Sequence, residues 1–79
     1  MTESLRQTWN WGDRTRLADG AGITKQYLCR IMRGKATPTK ATAMRLEQTA
    51  SDIGLALTAE DLLFPERSFN PLIRAAREG

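Results

Sequence analysis

Apolar residues in this chain recur three and four positions apart, in short runs separated by glycine, proline and helix-capping residues. Leu28, Ile31 and Met32 stand at i, i+3 and i+4, and Ala43, Leu46 and Ala50 at i, i+3 and i+7. A helix with that spacing turns one stripe inward and leaves the opposite face to water. The sequence has neither period-two alternation nor β-branched runs, so nothing in it reads as a strand. The pattern predicts an all-α fold of about five short helices plus a short C-terminal tail helix.

The punctuation places the elements. A first helix is expected over roughly residues 2–10, with Leu5 and Trp9 sharing a face at i, i+4, before Gly12 stops it. A second follows Asp13 as N-cap and runs to about Gly20, with Leu17, Ala18 and Ala21 as its small apolar face. A third begins after Thr24, a second N-cap, and ends at Gly34. A fourth follows Pro38 and the N-cap Thr39 and extends to about Ser51, with Met44 beside its inward residues. A fifth starts after Thr58, with Asp61 three positions on as in a capping box, and Pro65 ends it. In the tail, Asn70 as cap and Pro71 at the first helical position favour one or two turns. A helix that short must dock on its own domain or on a second copy, or else fray.

Composition narrows the function classes. Seventy-nine residues allow one domain with a thin core. The expected division is a domain over residues 1–65, with residues 66–79 as a dimerisation or docking tail. No apolar run approaches the ~18 residues that span a bilayer, and Met1–Thr2–Glu3–Ser4–Leu5–Arg6 lacks the layout of a signal peptide. A cytoplasmic protein without a membrane partner is expected. With one cysteine, Cys29, and no histidine, there is no internal disulfide, the commonest general base and metal ligand is missing, and no metal site or cofactor is expected. No nucleophile–base pair or phosphate loop is visible, so no catalytic residue is assigned and an enzyme is not expected. Cys29 reads as a tolerated small residue rather than a redox sensor, and Trp9 and Trp11 as core or core-edge residues rather than stacking platforms for single strands.

The net charge of +3 is mild, but its distribution is uneven. Residues 14–45 carry eight basic side chains opposed by Asp19 alone, and residues 46–66 carry five acidic ones and no basic one. That asymmetry fits a surface built for a polyanion and fits equally well a solvated surface without a partner.

The informative stretch is 14–34. Leu17 and Ala18, then Ala21 and Gly22, then Ile23, Leu28 and Ile31 describe two short helices at a steep angle with a tight turn between them. The small Ala18 permits close packing, and Gly22 takes the left-handed conformation without a Cβ penalty. The run LADGAGITKQYLCRIMRGKATPT resembles the helix-turn-helix of the phage repressor/Cro (XRE-like) family. The likeness is gapless from residue 14 to about 50, and carries Leu17, Ala18, Gly22, Ile23, Thr24, Leu28, Ile31, Gly34 and Pro38. The later run RLEQTA…GLALTAEDLLF is similar to that family's fourth and fifth helices, and to those of small Cro-like proteins and the YdaS-type antitoxin group. The chain departs from the pattern at Ala21, where the family has a larger residue, and at Gly20, a mid-helix glycine costing ~1 kcal/mol. Trp9 and Trp11 are candidates to fill the space left there. Asp13 as cap would place a carboxylate near a DNA phosphate.

The resemblance implies a lambda-repressor-like domain whose second motif helix enters the major groove. On a wheel of ~100° steps, Thr24, Leu28 and Ile31 fall on one side; Gln26, Cys29, Arg30 and Arg33 fall opposite, with Lys25 at the edge. Gln pairs with adenine, and Arg or Lys with guanine. The candidate base readers are Lys25, Gln26 and Arg30, with Tyr27 at a thymine methyl or a phosphate. The candidate phosphate contacts are Arg14, Arg33, Lys35, Thr39 and Lys40. Gln26 and Arg30 also fit plain solvated surface. The expected function is a sequence-specific repressor binding double-stranded DNA, a pseudo-palindromic operator, as a homodimer. The alternatives are an antitoxin that also binds a toxin through residues 46–66 or the tail, and an interaction module that keeps the fold without DNA binding.

Overall fold

Threonines start three of the helices and glycines end three in the computed structural model, which describes residues 5–78. Thr24, Thr39 and Thr58 each accept a bond on Oγ1 from the backbone N–H three residues on, at 3.0 to 3.2 Å. They open α2 (Lys25–Met32), α3 (Lys40–Asp52) and α4 (Ala59–Leu63). At Thr58 the capping box is complete, because Asp61 Oδ2 accepts from the Thr58 N–H in return. Gly22, Gly34 and Gly54 have positive φ, and each time the next residue donates back to the carbonyl five positions earlier: Ile23 to Ala18, Lys35 to Arg30, Leu55 to Ala50. That closure takes up carbonyls a helix end leaves unpaired.

Helix α1 (Asp13–Ala21) starts differently from the expectation. Gly12, at φ 86°, occupies the cap position without a side-chain bond, and Asp13 is the first helical residue. Its carboxylate is fully buried, accepts from the Asn10 N–H at 2.7 Å and pairs with Arg6 at 3.0 Å. It is therefore not a carboxylate facing a phosphate.

The expected first helix is absent where it can be judged. Residues 2–4 lie outside the described residues, and residues 5–10 are not helical. Arg6 instead pairs in parallel with Leu55: its N–H donates to Gly54 O and its carbonyl accepts from the Ala56 N–H, both at 2.8 Å. The segment had one apolar i, i+4 pair and no strong cap, too little to hold a lone helix. Leu5 is accordingly exposed, and so is Met44, on the outer side of α3.

The core gathers Leu17 and Ala18 from α1, Leu28, Ile31 and Met32 from α2, Ala43, Leu46 and Ala50 from α3, and Leu62 from α4. Leu55 and Leu57, outside any helix, complete its floor. α1 packs chiefly on α3, and α3 on α4. After α4, Pro65–Arg67 form a single 3₁₀ turn leading to α5 (Pro71–Glu78). α5 docks against α2 and buries Leu72, Ile73 and Ala76 in the same core. The tail thus settles on its own chain. A radius of gyration of 11.3 Å agrees with the ~12 Å of a single compact body this long. Among the described residues no helix is long and apolar enough to cross a membrane.

The mid-helix Gly20 has a packing reason. A Cβ there would lie 2.8 Å from Thr49 Oγ1 and 3.2 Å from its Cβ, so the glycine is what lets α1 and α3 approach. Thr49, and neither tryptophan, occupies that space. Trp9 packs on the core edge with its indole N–H on Leu72 O at 2.9 Å, whereas Trp11 is 99% exposed and belongs to no core.

Candidate nucleic-acid interface

α2 is seated by three side chains with no exposure at all: Leu28, Ile31 and Met32. Because a residue's neighbours on a helix face are three and four positions away, burying that stripe turns the opposite residues outward. Lys25, Gln26, Arg30 and Arg33 are exposed, and Cys29 is half-buried between them. Together with Lys35 they line one groove, which holds four cations, one amide and no carboxylate. Lys25 and Gln26 occupy the first turn of the helix, behind the Thr24 cap.

The turn before α2 follows from Gly22. At φ 72° it reverses the chain after α1, and the Ile23 N–H closes on Ala18 O at 2.9 Å. Ala18 is 2% exposed, small enough for the two helices to meet over it.

The other expected residues divide. Arg33 and Lys35 join the groove of Lys25, Gln26 and Arg30. Tyr27 is half-buried against the core and outside that lining. Arg14 lies with its guanidinium 4.9 Å from the centre of the Trp9 ring, and Lys25 lines a second groove with it. Thr39 holds its own helix start, accepting from the Thr42 N–H, while Lys40 is exposed beside it. Both lie outside the two grooves. Of two further residues of the basic grooves, Arg16 has no contact assigned from the sequence and Trp11 reads there as core or core edge. Arg16 and Trp11 line the second groove with Arg14 and Lys25. A local signal existed for Trp11, since its i+3 and i+4 neighbours, Arg14 and Thr15, are polar and give it no apolar stripe to join.

Three of the acids are engaged within the fold, while Glu66 lines an adjoining groove with Arg33. Burial pushes the Asp13 carboxyl up, but the Arg6 guanidinium and the Asn10 N–H outweigh it and hold the group below its usual range. It stays an anion, paired inside the fold. Asp61 behaves alike: burial raises it, and donors from Asn70, Ser68 and Thr58 bring it below the ordinary value. Glu47 is turned to the start of α4, where it accepts from the Ala59 N–H at 3.1 Å. Among the described residues no three His, Cys, Asp or Glu side chains are grouped to hold a metal ion. Comparison with protein-family models, curated proteins and solved structures finds no match to this chain.

Proposed function

We propose that this chain is a sequence-specific DNA-binding regulator, a Cro-like repressor that occupies its operator as a dimer. The observation that carries the reading is the outward face of α2. A helix anchored by three fully buried side chains presents Lys25, Gln26 and Arg30 in an open groove of cations without an acid. Gln26 in the first turn and Arg30 in the last turn of one core-seated helix suit adenine and guanine edges in a major groove. Arg33 and Lys35 flank them as phosphate contacts, which fix register and supply the salt-dependent part of affinity. The motif resemblance supports the same arrangement. One such module makes few base contacts, so two copies on half-sites about 34 Å apart complete the reading.

The antitoxin alternative has less to stand on. Two of the carboxylates that would form its acidic surface, Glu47 and Asp61, are engaged in capping and stapling α4.

Selection of bound sites from a random duplex library tests the reading, with a salt series on the winning site. A two-fold symmetric motif and an affinity falling steeply with salt are expected. Gln26→Ala and Arg30→Ala should each cost about 1–3 kcal/mol on that site and relax preference at one base pair. No enriched site, or affinity indifferent to salt, sinks it.

A further inference from the structure

We infer that Trp11 is a nucleic-acid contact, its indole packing on the sugar–phosphate backbone of a duplex beside the half-site that α2 reads. The inference rests on the function proposed above and extends its surface.

Trp11 is 99% exposed, so it contributes no packing to the fold and its indole is open to a partner. It lines a groove with Arg14, Arg16 and Lys25, and no Asp or Glu belongs to that lining. The nearest acid in sequence on one side, Asp13, is fully buried and paired first with Arg6, and Arg16 acts on it only as a weaker, more distant charge. The groove is also partly organised in advance. The Trp9 indole is fixed by its bond to Leu72 O, and the Arg14 guanidinium rests over its ring. Trp9 is the platform that positions a cation, and Trp11 is the indole left open.

The occupant follows from chemistry and continuity. A nucleic-acid strand alternates apolar deoxyribose with anionic phosphate, which suits an indole set among three cations. Lys25 lines both this groove and the one along α2, so the two adjoin and face the same partner. Within a duplex the bases are stacked on one another, so Trp11 meets the backbone. Its effect is therefore independent of sequence, unlike that of Gln26 and Arg30.

The test uses the full chain, a duplex carrying the selected site and a scrambled duplex of equal length. Binding is followed by gel shift and by indole fluorescence. Trp11→Ala is expected to weaken binding to both duplexes roughly tenfold, with an unchanged thermal melt. Trp11→Phe is expected to recover most of that affinity while losing most of the fluorescence change, since it keeps Trp9. The double variant Gln26→Ala/Arg30→Ala should lose preference for the site but retain the fluorescence change on both duplexes. If Trp11→Ala binds both duplexes like the parent while the double variant still loses site preference, the inference fails and the proposed function survives. If Trp11→Ala changes the sedimentation of the free protein and leaves duplex affinity alone, the groove belongs to a second copy and the inference is overturned. A parent chain without duplex affinity overturns both.

Discussion

Arg6 joins three parts of the chain through one guanidinium. It donates to both oxygens of Asp13, to Ile53 O at 3.1 Å and, more weakly, to Thr8 O. A buried carboxylate without its cation is far less stable than the pair, although Arg6 itself is one-third exposed and water softens the loss. Arg6→Ala should therefore destabilise the fold by about 2–3 kcal/mol, read as the shift in a urea midpoint. A loss under 0.5 kcal/mol would show that water reaches Asp13. Gly20 makes a second prediction. Alanine is the better helix former by ~1 kcal/mol, yet its Cβ would press on Thr49, whose β-branched side chain turns with difficulty. Gly20→Ala should lower the melting temperature, by a net ~1 kcal/mol at the midpoint. In a Thr49→Ala background the penalty should fall by at least half, and an unchanged penalty would place the strain elsewhere.

α4 has five residues and owes its place to its neighbours. Asp61 caps its start together with Thr58, accepts from Ser68 Oγ at 2.8 Å and from Asn70 Nδ2 at 2.8 Å. Asn70 in turn accepts from the Leu72 N–H at 2.9 Å and opens α5. One carboxylate thus fastens the start of α4 to the start of α5. Asp61→Ala should cost about 2 kcal/mol at neutral pH, from the lost cap and the two donors left behind. The pH dependence has a definite sign. Asp61 and Asp13 both sit below the usual 3.8 in the folded state. The stability each adds is complete above that value and is lost as pH falls through the lower folded values. Acid unfolding should therefore steepen below about pH 4. Asp61→Ala should remove part of that slope and leave the part due to Asp13, as measured by urea melts across an acid series.

The last helix is structural for the whole chain. Leu72 and Ile73 have no exposure, and burying two such side chains contributes about 1.5–3 kcal/mol each. That is a large share of the ~4–12 kcal/mol a chain this long commands. Deleting residues 69–79 should abolish the cooperative thermal transition in far-UV circular dichroism. A truncated chain that still melts sharply would make α5 an accessory. The same helix supports the candidate interface from behind, because α5 packs on α2 and fixes Trp9, which carries Arg14.

α2, its Thr24 cap, its Gly22 turn and its two faces were all legible along the chain, and so were the Thr58–Asp61 box and the Asn70–Pro71 start. These features depend on residues one to five positions apart, and the local backbone alone specifies them. The N-terminal arm was misread as a helix, Asp13 as a cap and Trp11 as core. Arg6 finds its partners at Gly54 and Ile53, Gly20 is required by Thr49, and Trp11 is left outside because Trp9 and α5 close the core without it. Such choices turn on contacts between positions tens of residues apart, whose geometry exists once the helices have packed. Periodicity and capping chemistry decide where a helix forms and which face it hides, whereas the company of a side chain beyond its own turn is settled by packing.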